Sequence, residues 1–176
     1  MVKFEELEKK ELFKNSHITV YSKKLQLPNE KIVDWTFTSK KDAVGIIAVL
    51  ENDNILLVKQ YRPAIEKEIL EIPAGLLEEN ESPLEAAKRE LEEETGYQAV
   101  NLEKVCEYYS SPGVSGSKFY LYYTDEVVRG KQNLDEDEFL EIEEIPLKSI
   151  NISTLFDAKS ILAIEYAKKK RNIEWK

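Results

Sequence analysis

Only one cysteine, Cys106, occurs among the 176 residues, so no disulfide can form within the chain. This usage fits a reducing compartment, and a lone thiol offers no cysteine cluster for a metal. The sequence also lacks any run of about eighteen apolar residues, the length that a membrane-spanning helix needs. Its N-terminus, MVKFEELEKKELF, is charged and has no apolar core of the kind found in signal peptides. These absences predict a cytoplasmic protein that does not span a membrane.

Positive charge is also scarce, because 25 lysines and arginines stand against 34 aspartates and glutamates, giving a formal net charge of −9. Such an acidic chain argues against nucleic acid as the main partner. A phosphate-bearing small molecule can still bind where cations or locally placed arginines compensate the charge. Hydrophobic residues make up 42% of the chain and aromatic residues 10%, which is enough for a packed core.

Strand-like segments lie on both sides of one strongly marked helix. Alternating or continuous apolar residues predict strands at 17–26, 32–38, 43–50, 55–62, 102–109 and 118–124, with shorter ones in EILEIPAG and FLEIEEI. The turn LPNEK separates the first two strands, which therefore predict a hairpin. Residues 157–171 predict a closing amphipathic helix with basic residues in its last turns, where the helix dipole favours them. The pattern fits an α+β or α/β fold that is mostly strands.

The helix predicted at 82–95 has clear start and stop signals. Ser82 is a good N-cap, and Pro83 follows at the first helical position, where its missing N–H costs nothing. Glu85, three residues after Ser82, completes a capping box. Gly96 ends the helix.

A helical wheel places Glu90, Glu93 and Glu94 of this helix within an arc of about 100°. They border the apolar stripe that we expect to face the core, which consists of Leu84, Ala87 and Leu91. Like charges at these spacings repel. Lys88 and Arg89 are near, but on the wheel they point elsewhere. A divalent cation such as Mg²⁺ or Mn²⁺ is the better compensation, since carboxylate oxygens are hard ligands; a solvated acidic helix face is the alternative.

The spacing of the whole stretch from Gly75 to Tyr97 resembles the Nudix box, G-x5-E-x7-R-E-U-x-E-E-x-G-U, in which U is an aliphatic residue. The fixed positions match at Gly75, Glu81, Arg89, Glu90, Leu91, Glu93, Glu94 and Gly96. The departure is Tyr97, which stands where an aliphatic residue is usual. The chain is therefore identified by resemblance as a member of the Nudix hydrolase family.

This resemblance implies an α+β fold, the Nudix α/β/α sandwich, with a mixed central sheet and an N-terminal antiparallel strand extension. We expect the extension at 1–40 and the Nudix hydrolase domain at 41–176. The resemblance further implies hydrolysis of a nucleoside diphosphate linked to another group, with two or three Mg²⁺ ions or Mn²⁺ in their place. It assigns the metal ligands to Glu90, Glu93, Glu94 and the carbonyl of Ala74. Arg89 would orient the glutamates by ion pairing, and Glu81 would have a supporting role.

Other segments resemble the ADP-ribose pyrophosphatase subfamily, whose members hydrolyse nucleoside diphosphate sugars. In VKQYRPAIEKEILEIPAGLLE, Arg62 matches an arginine that contacts the substrate diphosphate, and Glu71 matches a glutamate near the metal site. In SSPGVSG, Pro112 and Gly113 match a loop associated with the ADP-ribose group. The alternative for Arg62 and Glu71 is an ordinary surface charge at a strand end.

The same resemblance suggests a general base, a stacking residue and a partner subunit. Glu138 in the acidic loop NLDEDE aligns with a glutamate proposed as the general base in ADP-ribose hydrolysis. Glu136 is the near alternative for this base. The other possibility is that the loop is a plain acidic turn without a catalytic role. Trp35 matches an aromatic that stacks on the base in related dimers, although a tryptophan on a strand is also common in a core or interface. The resemblance also implies a homodimer in which the N-terminal strands exchange or cross between subunits. Such a dimer would explain why a two-strand segment that is barely stable alone survives.

The substrate preference stays open at this point. ADP-ribose is the first expectation, with AMP and ribose 5-phosphate as products. The run from Ser115 to Lys118 lacks the acidic residue that many ADP-ribose hydrolases carry there and is similar to UDP-sugar hydrolases. A UDP-glucose or GDP-mannose pyrophosphatase is therefore the alternative. A non-catalytic module that binds ADP-ribose is a third reading, which the complete glutamate set disfavours.

Overall fold

The computed structural model of the chain describes residues 3–136 and 138–173. Two helices and several sheets form it, so the expected mixed α and β class is confirmed. The chain divides into two compact units, one made of Met1–Asp42 and Tyr108–Phe119, the other of Ala43–Glu107 and Tyr120–Lys176. Neither described helix is long and apolar enough to cross a membrane.

The first unit contains an antiparallel sheet of three strands in the order β1-β2-β3, namely β1 (Glu5–Lys14), β2 (Thr19–Gln26) and β3 (Ile32–Ser39). The predicted hairpin is confirmed, since β2 and β3 pair antiparallel from Thr19 opposite Ser39 onward. Strand β1 was not predicted. All ten of its side chains are exposed. Because no side of the strand is buried, its sequence EELEKKELFK lacks the alternation of apolar and polar residues by which a half-buried strand is predicted.

The remaining strands, most of whose residues belong to the second unit, form two sheets with the strand orders β7-β4-β10-β9 and β12-β5-β6, and a small pair β11-β8. The strands are β4 (Ala43–Ala48), β5 (Asn54–Arg62), β6 (Lys67–Glu71), β7 (Ala74–Leu76), β8 (Tyr97–Ala99), β9 (Glu103–Tyr109), β10 (Lys118–Thr124), β11 (Val127–Arg129) and β12 (Leu140–Pro146). Strands β8 and β11 were not predicted, because three residues are too few to carry a periodic pattern.

Helix α1 (Pro83–Thr95) begins and ends where the sequence predicts. The Ser82 side chain accepts a hydrogen bond from the backbone N–H of Glu85, and the Glu85 side chain accepts one from the backbone of Ser82. Gly96 ends the helix in the left-handed conformation, with φ 69°, which a residue without Cβ adopts at no steric cost. The strong local signals therefore fix the register of the acidic residues on this helix.

One face of α1 packs against strand β4 in the core of the second unit. Ala86, Ala87 and Leu91 are fully buried there with the inward-facing side chains of β4, which are Val44, Ile46 and Ala48. The prediction for Leu84 is wrong, since this side chain is exposed. The helix presents Ala86 to the strand instead, and this small side chain allows a close approach.

Helix α2 (Ala158–Lys170) also contacts β4, so this strand is a central element of the second unit. Its N-cap is Asp157, whose side chain accepts a hydrogen bond from the backbone N–H of Ser160. Ala163, Ile164 and Ala167 are fully buried along it. The backbone N–H of Ile72, directly after β6, donates to the hydroxyl of Ser160 at 2.8 Å and ties the start of α2 to the end of that strand.

Candidate active site

The guanidinium of Arg89 lies at the centre of a network of carboxylates. Its Nε and Nη2 donate to the two oxygens of Glu81 at 2.8 and 2.9 Å. Its Nη1 donates to Glu90 at 2.8 Å and to Glu93 at 2.9 Å, while Nη2 also reaches the carbonyl of Leu76 at 3.0 Å. The wheel-based expectation that Arg89 points away from the glutamates is therefore wrong, because a wheel ignores how far a long side chain can fold back. The ion pairing implied by the resemblance is what the structure contains.

Glu90 and Glu94 are buried despite their charge, with exposed fractions of 7% and 3%. Burial raises the pKa of Glu90 to about 7, against the opposing effect of Arg89. Burial likewise raises the pKa of Glu94 to about 8, although the backbone N–H of Ala74 donates to its Oε2 at 2.8 Å and lowers it. Both carboxyls thus resist ionisation, since desolvation penalises the charged form.

Gly75 makes room for one of these carboxylates. A Cβ atom at this position would lie 2.0 Å from Oε1 of Glu90, so a larger residue would force the Glu90 carboxylate to move. Gly75 lies on β7 opposite Val44 of β4, so the strand that carries it is held in register by the sheet. The box glycine is therefore required by the close approach of the Glu90 carboxylate to the backbone of β7.

The chemistry of this donor set fits a divalent cation. Among residues 3–136 and 138–173, no three acidic, histidine or cysteine side chains are already gathered as a metal cage. Hydrogen bonds occupy Oε1 of Glu90, Oε2 of Glu93 and Oε2 of Glu94. Each carboxylate has a second oxygen, and such oxygens are the ligands that Mg²⁺ prefers. A cation would also offset the cost of ionising Glu90 and Glu94, so the predicted ligand set is chemically reasonable and stays a prediction.

Arg62 and Glu71 form a paired group at the ends of β5 and β6. Arg62 donates from Nε and Nη2 to the two oxygens of Glu71, at 2.5 and 2.8 Å. Burial opposes ionisation of Glu71, but Arg62 and Lys159 outweigh it and lower the pKa of Glu71. The charge of Arg62 also lowers the pKa of Glu94. Arg62 therefore acts electrostatically on one carboxylate of α1, and its role at the site stays a prediction.

Lys159 is part of this group and was not singled out in the sequence. It contacts Glu71 and donates to Oδ2 of Asp157 at 2.9 Å. Glu71 and Lys159 are 88 residues apart, so no local pattern connects them. The available signal was weak, namely a lysine directly inside the predicted start of the last helix.

The acidic loop places Glu138 within electrostatic range of the buried glutamates. The charge of Glu138 raises the pKa of both Glu90 and Glu94. Its backbone N–H donates to the carbonyl of Asp135 at 3.0 Å, which closes the loop on itself. Glu136 lies exposed on the same loop.

The loop that leads to Glu138 is also tied to the end of helix α1. The side chain of Gln132 donates to the carbonyl of Glu94 at 2.8 Å, and the backbone N–H of Asn133 donates to the carbonyl of Glu93 at 3.0 Å. The start of this loop is thus fixed to the residues that carry two of the predicted metal-binding carboxylates.

Three further predicted residues, Trp35, Pro112 and Gly113, belong to the first unit. Trp35 lies on β3 with an exposed fraction of 42%, and its ring meets that of Phe4 edge to face at 5.7 Å. Pro112 and Gly113 are in the turn after β9. The backbone N–H of Thr38 donates to the carbonyl of Val114 at 2.8 Å, so this turn is tied to the end of β3.

Comparisons with known proteins agree with these features. A NUDIX domain model matches residues 39–164. An ADP-ribose pyrophosphatase of Bacillus subtilis is 38% identical over 94% of this chain and 93% of its own length. A methanol dehydrogenase activator of Bacillus methanolicus is 34% identical over 93% of this chain and 92% of its own. A solved structure described as an ADP compounds hydrolase has the same fold, with a TM-score of 0.85 at 22% identity over 97% of this chain and 95% of that one.

The raised pKa of Glu94 implies that this carboxyl destabilises the fold at neutral pH. An ordinary carboxyl loses its proton near pH 4.5, whereas Glu94 holds it to about pH 8. The penalty therefore grows as pH rises from 4.5 and is complete above 8. We expect Glu94→Gln, which keeps an acceptor for Ala74, to raise the free energy of unfolding in EDTA by on the order of 2–4 kcal/mol at pH 8 and by little at pH 5.

Urea denaturation at the two pH values measures this difference, and the exposed Glu79→Gln is the matched control. A gain that is equal at pH 5 and pH 8, or a loss at pH 8, would show that burial of the Glu94 charge is not the cause.

Proposed function

Since this chain belongs to the Nudix family of hydrolases, we propose that it hydrolyses the diphosphate bond of ADP-ribose to AMP and ribose 5-phosphate. The observation that carries the proposal is the carboxylate set on α1, which Arg89 organises beside the backbone of β7. The Bacillus subtilis relative, which matches nearly the whole chain, has the name ADP-ribose pyrophosphatase and supports the choice of substrate. A closely related nucleoside diphosphate sugar would be handled by the same groups.

The metal ligands in this proposal are Glu90, Glu93, Glu94 and the carbonyl of Ala74. They would hold two or three Mg²⁺ ions, with Mn²⁺ as the alternative; bound cations neutralise the diphosphate and make a bound water more acidic. Arg89 keeps the carboxylates of Glu90 and Glu93 in place through its hydrogen bonds to both. The hydrogen bond from Ala74 holds Glu94 against β7.

Glu138 is the proposed general base. A carboxylate on a loop next to the site can accept the proton of the water that attacks a phosphorus atom, and general bases contribute roughly 10²–10⁴-fold to a rate. The electrostatic effect of Glu138 on Glu90 and Glu94 supports its closeness to the reacting groups. Glu136, on the same loop, is the alternative base.

Arg62 is proposed to contact the diphosphate, and Glu71 to hold Arg62 in place. The bidentate pair between them supports these roles, because it orients the guanidinium. Pro112 and Gly113 are proposed to lie against the ADP-ribose group, and Trp35 to stack on its base.

A second candidate substrate is UDP-glucose or GDP-mannose. It is favoured by the loop from Ser115 to Lys118, which has no acidic residue. Within this loop the Ser117 hydroxyl donates to the carbonyl of Lys40 at 2.8 Å. A non-catalytic binding module is the remaining alternative, and the complete glutamate set argues against it.

We further propose a cytoplasmic homodimer formed through the N-terminal strands. Strand β1 is an exposed edge of its sheet, and such edges readily pair with another chain. Apolar side chains on and near this strand are exposed, and a second chain that packs here would bury them. They are Phe4, Leu7, Leu12, Phe13 and Trp35. The single cysteine supports a reducing location.

The substrate is tested by coupled phosphate release from ADP-ribose, ADP-glucose, UDP-glucose, GDP-mannose and dGTP, first with Mg²⁺ and then with Mn²⁺. We expect kcat/KM for ADP-ribose to exceed the others by at least about tenfold, a difference of roughly 1.4 kcal/mol in transition-state binding. Highest activity on UDP-glucose or GDP-mannose would favour the second candidate. Activity on none of the five would favour the binding module.

The general base is tested by comparing Glu138→Gln with Glu136→Gln. We expect Glu138→Gln to lower kcat by about 10²–10⁴-fold, because the attacking water loses its proton acceptor. Glu136→Gln is the matched control on the same loop and should stay within a few-fold of the wild type. If the two effects are exchanged, Glu136 is the base, and if neither variant loses activity the loop has no catalytic group.

The N-terminal sheet is tested with Trp35→Ala. We expect KM for ADP-ribose to rise by about 10- to 100-fold with little change in kcat, because stacking on a base is worth about 1–3 kcal/mol. Light scattering should give the wild type and the variant a mass near twice the 20.4 kDa of the chain. An unchanged KM would assign Trp35 to packing alone, and a monomeric wild type would exclude the proposed dimer. Trp35→Phe keeps an aromatic ring and is the control.

A further inference from the structure

Glu71 is paired with two cations although one would balance its charge. The side chain is 2% exposed, and its two oxygens accept hydrogen bonds from Arg62 at 2.5 and 2.8 Å. Lys159 contacts the same carboxylate at Oε2. A buried carboxylate does require a partner, but the bidentate arginine already supplies a complete one. The second cation therefore calls for a separate explanation.

Lys159 connects Glu71 to the start of helix α2. Its Nζ also donates to Oδ2 of Asp157, the N-cap of α2, at 2.9 Å. Asp157 accepts further hydrogen bonds from the backbone N–H and hydroxyl of Ser160, and its position at a helix N-terminus stabilises its negative charge. Asp157 is thus well compensated without Lys159, which leaves the lysine available for Glu71.

The segment that follows Glu71 is fixed at every residue up to the predicted metal site. The backbone N–H of Ile72 donates to the hydroxyl of Ser160 at 2.8 Å. The carbonyl of Pro73 accepts from the N–H of Ile46 at 2.9 Å. Ala74 then donates to Glu94. The backbone between Glu71 and the Glu94 carboxylate is therefore held by a hydrogen bond at each residue.

Arg62 keeps donors for an anion while it is paired with Glu71. A guanidinium has five N–H groups, and the two bonds to Glu71 use one on Nε and one on Nη2. The side chain is 41% exposed, so solvent or a ligand can reach it. The effect of its charge on Glu94 shows that the guanidinium lies within electrostatic range of the site.

We infer that Lys159 is a positioning residue for the substrate diphosphate, which acts by sharing the Glu71 carboxylate with Arg62. This inference rests on the proposed function and names a residue for the binding of its substrate. With Lys159 present, the negative charge of Glu71 is divided between two cations, so part of the positive charge of Arg62 remains for the diphosphate. Without it, Arg62 becomes the only counter-ion of a buried carboxylate and is drawn toward it.

Lys159→Met tests this division of charge, because it keeps the length of the side chain and removes the cation. We expect KM for ADP-ribose to rise by about 10- to 100-fold with kcat within a few-fold of the wild type, the range for losing a hydrogen bond to a charged group. Lys159→Arg restores the cation and should return KM to within about threefold. Lys169→Met, an exposed position on the same helix, is the matched control.

A double-mutant cycle separates positioning from a structural role. If Lys159 acts through Arg62, then KM for Lys159→Met with Arg62→Met should equal KM for Arg62→Met alone. Multiplying effects on KM would overturn the inference. So would a Lys159→Met protein that melts at a lower temperature with unchanged KM, or one that loses kcat alone. If Lys159→Met does not fold, Lys159→Gln serves as the variant without the cation, and its KM is compared with that of Lys159→Arg.

Binding of methylene diphosphonate and of α,β-methylene ADP-ribose, measured by calorimetry, keeps this test apart from that of the proposed function. Neither probe can be hydrolysed at the bridging carbon. If the wild type binds them but hydrolyses none of the five nucleotides, the proposed function fails, and weaker binding by Lys159→Met still supports the inference. If the wild type hydrolyses ADP-ribose and Lys159→Met binds both probes as tightly as the wild type, the inference alone fails. A wild type that binds neither probe and hydrolyses none of the five nucleotides would overturn both.

Discussion

The network around the Arg89 guanidinium is the interaction on which the rest of the site depends. Helix α1 carries Glu90 and Glu93 close together on the border of its buried face, where like charges repel. One guanidinium hydrogen-bonds to both and is itself held by Glu81 from the preceding loop. Because Arg89 is charged at any physiological pH, this arrangement keeps the carboxylates together without a bound cation. The arrangement of these carboxylates therefore does not depend on a bound cation.

Burial of Glu90 and Glu94 has a cost that Arg89 and the backbone N–H of Ala74 offset only in part. Raised pKa values of about 7 and 8 mean that the chain holds two carboxyls in surroundings that disfavour their charge. The core gains nothing from them that a neutral side chain would not supply. Gly75 completes the arrangement, since any larger residue would occupy the space of the Glu90 carboxylate. Carboxyls held at a cost to stability are typical of functional sites, which agrees with the metal-binding role proposed for these glutamates.

Local signals in the sequence predicted the helix that carries the glutamates, but not the contacts that its neighbours make in the tertiary structure. The cap at Ser82 and the stop at Gly96 fixed helix α1, and with it the side of the helix on which Glu90 and Glu94 lie. A helical wheel could not show that Arg89 folds back onto its neighbours, because it contains no side-chain length. Strand β1 has no periodic pattern, since all its side chains are exposed. Lys159 reaches Glu71 across 88 residues, a contact that only the tertiary fold creates.

The two cations that pair with Glu71 lie in a chain whose net charge is −9. A diphosphate that approaches an acidic protein is repelled by the overall field, so its binding depends on positive charge placed within a few ångströms. Arg62 alone, fully engaged by a buried carboxylate, would present little of its charge. A second cation on that carboxylate changes the local balance without adding a basic surface, which would also attract unrelated polyanions such as nucleic acids. The segment from Glu71 to Ala74 then joins this cationic group to the carboxylates of α1. The cations proposed to bind substrate and the carboxylates proposed to bind metal are in this way joined by one short stretch of backbone.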